Sequence, residues 1–166
     1  MPASASVDLY LVRHGIAEQR LGGADDPERA LSTVGQQRTL AVLRRLGALG
    51  VRADRLLSSP YRRARQTAEL AVQADLAAQL ELEPRLQPGG DHLSLVMELS
   101  GRCMLVGHEP DLSALAAVLL GAPVGSLGLR KAGFCHLHLT SAGDAAVGSA
   151  QLEALLRPRF LLPCPV

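Results

Sequence analysis

The sequence predicts an α/β domain of three layers, helices packed on both faces of a mostly parallel sheet that carries an antiparallel carboxyl-terminal edge. Three observations predict it. Val7 to Val12 and Cys103 to Val106 are apolar on both alternating faces, the pattern of inner parallel strands covered on each side. Segments with helical spacing separate the strand candidates, giving a β-α-β-α-β-α order. Past residue 133 the pattern changes to a strict alternation with turn chemistry, which reads as a hairpin. A length of 166 residues suits one domain, here 1–166, without linker, repeat or low-complexity tract.

Taken in order, the first strand runs through Val7-Asp8-Leu9-Tyr10-Leu11-Val12 and ends in Arg13-His14-Gly15. Ligands of open α/β sheets bind at the carboxyl ends of the strands, and Gly15 permits a sharp turn there. Residues 16–30 read as a loop, with Gly22-Gly23 and Asp25-Asp26-Pro27 as turn residues. A helix follows, with Ser32 or Thr33 as cap, capping-box spacing from Thr33 to Gln36, and Leu40, Leu43 and Leu46 as its apolar stripe before Gly50. Arg55 to Ser58 is a short strand. Ser59 and Pro60 fit the cap and first position of a second helix to about Ala78, which puts Arg62 and Arg63 in a first turn suited to anions.

Leu80 to Glu83 is a brief strand, Pro84 to Gly90 a loop, and Asp91 caps a short helix to Leu99. His108 then stands at the carboxyl end of the Cys103 to Gly107 strand as His14 does at the first, so parallel pairing would bring both to one edge. Pro110 opens a helix with Leu112, Leu115, Ala116 and Leu119 on one face and Gly121 at its end. Phe134 to Thr140 sets Leu137 and Leu139 against His136 and His138. Gly143-Asp144 forms the turn, and Ser149 to Leu155 returns as an edge strand.

Composition excludes several classes of function. A formal net charge of +1 and 2% aromatic residues argue against nucleic acid as a partner. Cys103, Cys135 and Cys164 are odd in number and lack a Cys-x-x-Cys pair, which speaks against a disulfide framework and for a reducing, cytoplasmic setting. Neither a leader pattern nor a long apolar span suggests export or a membrane. The His136-x-His138 pair has no evident third ligand, so no metal and no cofactor are expected.

Arg13, His14, Arg63 and His108 supply what phosphoryl transfer requires: a nucleophile that can lie in line with phosphorus, and fixed cations around the oxygens that carry its charge. The bland alternatives are solvated side chains at Arg13-His14, a charged helix face at Arg62-Arg63, and a satisfied histidine at 108. Convergence of three separate segments on one sheet edge favours the functional reading.

Leu11-Val12-Arg13-His14-Gly15 resembles the RHG signature of the histidine phosphatase superfamily, phosphoglycerate-mutase-like proteins that pass through a phosphohistidine. Leu31-Ser32-Thr33-Val34-Gly35 resembles that family's helix start. Ser58-Ser59-Pro60-Tyr61-Arg62-Arg63-Ala64-Arg65-Gln66-Thr67-Ala68 resembles its SSPxxRAxQTA segment, a register that selects Arg63 over Arg62, and Leu105-Val106-Gly107-His108 resembles its second-histidine motif. The short chain, Arg29-Ala30-Leu31-Ser32 and Gly107-His108-Glu109-Pro110 are most similar to SixA-type phosphohistidine phosphatases, with Ala30 where that group has proline.

The resemblance implies His14 as nucleophile and Arg13, Arg63, His108 and Gly15 around the phosphate, with Arg29 and Glu18 as further binding candidates. Glu109 and Glu18 are the alternatives for a general acid. It implies a hydrolase of signal transduction acting on a phosphohistidine-bearing phosphotransfer protein. Its rivals are a phosphomonoesterase or mutase for small phosphorylated substrates and a silent phosphate-binding module.

Overall fold

The computed structural model describes residues 6–140 and 147–163. Its six-stranded sheet has the order β3-β2-β4-β1-β5-β6, with β1 at Val7–Arg13, β2 at Arg55–Ser58, β3 at Glu81–Leu82, β4 at Gly101–Gly107, β5 at Phe134–Leu139 and β6 at Ala150–Leu156. The four strands β3, β2, β4 and β1 are parallel, and β5 and β6 add antiparallel to the β1 edge.

Alternation along β1 divides the core in two. Val7, Leu9 and Leu11 pack with Leu95, Val96, Leu112 and Leu119, whose helices are α3 (His92–Met97) and α4 (Asp111–Leu120). Tyr10 and Val12 face the other side, with Val42, Leu43, Ala64, Ala68 and Leu161 of α1 (Thr33–Ala48), α2 (Arg62–Gln73) and α5 (Pro158–Leu161). The expected three layers are therefore present, two helices covering one face of the inner strands and three the other.

Several boundaries differ from the sequence expectation, each for a local reason. Ser32 caps α1 by accepting from the Gly35 N–H, so the Thr33–Gln36 box does not form, and Gln36 instead donates to the Leu31 carbonyl. Helix α2 begins at Arg62, because the Ser59 N–H is still bonded to Val106 O of the sheet at 3.0 Å. It ends at Gln73 rather than near Ala78, since Asp75 takes a left-handed φ of 58°. Pro84–Leu86 forms one 3-10 turn inside the expected loop, α3 stops at Met97, and α5 carries no periodicity that sequence could reveal. Gly121 ends α4 at a φ of 67°, as expected of a carboxyl-terminal glycine. The Gly143-Asp144 turn and Cys164 lie outside the described residues.

The register that matters for function is Arg13 opposite Gly107. Because β1 and β4 are parallel neighbours, His14 and His108 leave the sheet side by side, and the His14 N–H bonds Gly107 O at 3.1 Å. Gly15 serves this junction by its lack of a Cβ rather than by a left-handed backbone: a Cβ there would collide with the Thr39 hydroxyl. Gly35 likewise admits the Ile16 carbonyl to the start of α1.

Candidate active site

A cleft of about 500 Å3 opens at the carboxyl ends of β1 and β4 and contains His14, Arg13, Arg63 and His108. His14 is 5% exposed and His108 2%, with ring centroids 5.3 Å apart. The Nδ1 of His14 lies 2.7 Å from Gly15 O, which can only accept, so Nδ1 carries the proton and Nε2 the lone pair. Arg63 Nε donates toward that Nε2 at 3.3 Å.

Arg63, 2% exposed, is held from several directions. Its Nη1 donates to Asp26 O at 3.1 Å, its Nη2 to Asp25 Oδ2 at 2.6 Å, and Nη2 lies 3.5 Å from His108 Nδ1. An arginine only donates, so Nδ1 of His108 is the acceptor and its Nε2–H donates to Ser59 Oγ at 2.8 Å. Arg13 donates from Nη1 to Leu129 O at 2.9 Å, while its buried Nε has no partner among the described residues. Arg62 points outward and is exposed.

The motif residues around Arg63 position it. Thr67 Oγ1 donates to Arg63 O at 2.8 Å and accepts from the Gly15 N–H at 3.1 Å, tying α2 to the turn after β1. Gln66 accepts from the Leu31 N–H at 2.7 Å, which fastens the end of the 16–30 loop. From sequence alone none of Ser59, Asp25 and Thr67 has a part in the site, Ser59 being taken as a helix cap. Ser59 and Thr67 lay inside the SSPxxRAxQTA resemblance, whereas Asp25 read only as a turn residue.

The remaining candidates border the cleft differently. Arg29 lines it, pairs with Asp25 at 3.3 Å and donates to Glu18 O at 3.1 Å. Glu18 lines it near the mouth, engaged through its backbone with Ala30 O. Glu109 also lines it, but its Oε1 accepts the Ser113 N–H at 2.9 Å in the first turn of α4. His136 and His138 lie elsewhere, on β5, where both meet Asp8 Oδ1, at 2.8 and 3.2 Å. Among the described residues no group of three His, Cys, Asp or Glu is arranged to hold a metal ion.

Burial dominates the electrostatics. It is the largest cause that pushes His14 down to about 3; the Gly15 hydrogen bond opposes it, and His108, Arg63 and Arg13 add to it. Burial and then Arg63 push His108 down to about 4, against Asp25. Burial disfavours an ionised Asp25, but Arg63, Arg29 and Arg20 outweigh it and hold this carboxylate below its usual range. The cleft thus presents neutral imidazole beside fixed guanidinium groups, which suits in-line attack on an anionic phosphoryl group.

A stability prediction follows from the two depressed histidines. Between the folded values and the ordinary value of 6.5, the unfolded chain binds protons that the native chain does not. The contribution of these two neutral rings is therefore fully present above pH 6.5 and is lost as pH falls through about 4 for His108 and about 3 for His14. Denaturant midpoints measured across that interval should drop with acidification, and His14→Gln should flatten the slope. An unchanged slope in the variant would contradict the buried, neutral assignment.

Comparison with known proteins agrees with this geometry. Residues 9–88 match the model of the Histidine phosphatase superfamily (branch 1). An uncharacterized protein of Picosynechococcus sp. (strain ATCC 27264 / PCC 7002 / PR-6) is 37% identical over 165 residues, covering 95% of this chain and 100% of the relative. Among solved structures, the protein histidine phosphatase SixA complexed with tungstate is 24% identical with a TM-score of 0.77, covering 93% of this chain and 99% of its own. The phosphohistidine phosphatase SixA assigned in Agrobacterium tumefaciens is 23% identical with a TM-score of 0.74, over 93% and 99%. The mycobacterial glucosyl-3-phosphoglycerate phosphatase is 20% identical with a TM-score of 0.70, over 90% and 98%. At these identities the structures speak for the fold, while the matched model spans the motifs that carry Arg13, His14 and Arg63. The chain belongs to the histidine phosphatase superfamily.

Proposed function

We propose that the protein is a phosphohistidine phosphatase of the SixA type, hydrolysing phosphate from a histidine on a partner phosphotransfer protein in cytoplasmic signal transduction. The observation that carries the reading is the tautomer of His14: Nδ1–H is committed to Gly15 O at 2.7 Å, which leaves the Nε2 lone pair facing Arg63 in the cleft. Nε2 attacks phosphorus and forms a P–N bond as the substrate's P–N bond breaks, and the released imidazole takes up a proton. Water then attacks the phosphorus of phospho-His14, returning the imidazole and releasing phosphate. Arg13, Arg63 and His108 surround the equatorial oxygens, where charge spreads in the transition state. His108, neutral at rest, gains a reason to protonate when the phosphate dianion arrives beside it.

Substrate choice rests on the leaving group. An alkoxide needs a well-placed acid, whereas a phosphohistidine's imidazole departs readily once protonated. Glu109 has one oxygen already held by Ser113, and Glu18 sits at the mouth, so neither is bound into the His14–His108 cluster. The names of the SixA relatives support the same choice. A side-by-side assay of a phosphorylated phosphotransfer domain, phosphohistidine peptides and a panel of phosphate monoesters tests it. The expected result is the highest kcat/KM on phosphohistidine, and activity unaffected by chelators because the arginines supply the cationic charge. A clear preference for one small ester would move the assignment to a phosphomonoesterase.

A further inference from the structure

A second cleft, also of about 500 Å3, adjoins the first and is lined by six cations: Arg13, Arg38, Arg130, Lys131, Arg157 and Arg159. Among the described residues no carboxylate lines it, and Arg13 and Lys131 line both clefts. The cations come from separate parts of the chain: Arg38 from α1, Arg130 and Lys131 from the turn before β5, Arg157 and Arg159 from the junction of β6 and α5. A chain of net charge +1 therefore gathers 6 of its 17 basic residues on one patch beside the active site.

These cations also differ in how they are satisfied. Arg20, Arg29, Arg55, Arg63, Arg65, Arg85 and Arg102 each pair with a carboxylate. Among the described residues, none of the six around the second cleft forms an ion pair, a state shared by Arg44, Arg45, Arg52 and Arg62; what sets the six apart is that they are gathered around one cleft. Arg159 instead lies over the Phe160 ring at 4.7 Å. Like charges gathered without partners repel, and burial together with Arg13, Arg29 and Arg63 disfavours the charged form of Lys131. A complementary anionic surface would relieve that repulsion and steer encounter.

Resting on the phosphohistidine-protein reading above, we propose that this cleft is a docking subsite for acidic side chains flanking the phosphohistidine of the substrate protein. The spread of the charges selects this occupant over a small bisphosphate. Arg38, Arg130, Arg157 and Arg159 are exposed and lie around the cleft, an arrangement that meets several carboxylates on a surface. A single second phosphate would call for converging, buried donors. Arg13 joins the two clefts, so a chain whose phosphohistidine reaches His14 would set its neighbouring side chains against the basic patch.

The test uses peptides phosphorylated on histidine with phosphoramidate and flanked by Asp/Glu, by Ser/Gly or by Lys. Wild-type enzyme should favour the acidic flanks over the neutral ones by about tenfold in kcat/KM, the effect of two or three exposed ion pairs. The preference should shrink as salt is raised. The Arg157→Glu/Arg159→Glu double variant, and separately Arg38→Glu, should lose most of it while turning over the neutral peptide and phenyl phosphate within about twofold of wild type. Equal turnover of all flanks, or a preference that survives both variants, would overturn this inference alone. Failure of the wild type to hydrolyse any phosphohistidine peptide would overturn the proposed function instead.

Discussion

Replacing His14 with alanine should reduce turnover of every phosphorylated substrate to background, a loss on the order of 10^4-fold or more, as expected when a covalent nucleophile is removed. The geometry leaves one strong competitor for that role. Ser59 Oγ lies 2.8 Å from His108 Nε2, a serine–histidine contact that superficially resembles a hydroxyl activated by a base. The hydrogen-bond pattern argues against it. Arg63 occupies the Nδ1 side of His108, so Nε2–H donates to Ser59, and a hydroxyl that accepts from a histidine is not being deprotonated by it. Ser59 also lies wholly inside the protein, where no phosphorus can approach in line. Rapid quenching with labelled substrate should therefore trap an acid-labile, base-stable adduct on His14, and none in His14→Ala. Label on Ser59, on a cysteine or on an aspartate would sink the mechanism.

Removing the Arg63 side chain should cost about 10^2 to 10^3-fold in kcat/KM, the range found when a preorganised donor to developing charge is deleted. Its guanidinium touches the lone pair of His14, lies beside His108 and anchors Asp25 and Asp26 of the 16–30 loop. Arg63→Ala therefore removes charge stabilisation, loosens the orientation of His14 and frees one wall of the cleft together. Arg63→Lys should recover little, because an ammonium is a compact charge that cannot reach these partners from one planar fork. The fold should survive both changes: Asp25 is partly open to solvent and can hydrate once unpaired. Steady-state kinetics on a small phosphate ester, with thermal denaturation as a control, checks the prediction. A loss below about tenfold in Arg63→Ala would show that the cationic charge comes from elsewhere, Arg13, Arg20, Arg29 and Lys131 being the other cations that line the cleft.

How far the site was legible from sequence differs from residue to residue. Arg13 and His14 announced themselves by ending an apolar run abruptly, a contrast that depends only on neighbours in the chain. His108 did so for the same reason. Arg63 could be told from Arg62 only through a motif, since both stand in the first turn of α2 and differ in burial by a rotation about the helix axis. Asp25 gave no signal beyond turn chemistry, yet its carboxylate is an anion already seated on Arg63. The basic cleft was equally silent, because its cations are separated by more than a hundred residues between Arg38 and Arg157.

What the sequence determined by itself is what short-range periodicity and capping can encode: two-sided apolar strands, helices between them, the switch to alternation at β5, and the chemistry waiting at each strand end. Tertiary structure alone decided that β4 inserts between β1 and β2, which makes His14 and His108 neighbours and brings α2 over them with Arg63. It also decided that the 16–30 loop folds back to lay Asp25 on Arg63, and that Ser59 leaves the sheet where it can orient His108. The physical reason is common to these cases. Periodicity specifies which face of an element is buried, but many partners could cover that face. The choice among them is made by non-local packing of the whole core, and the functional groups are brought together as its consequence.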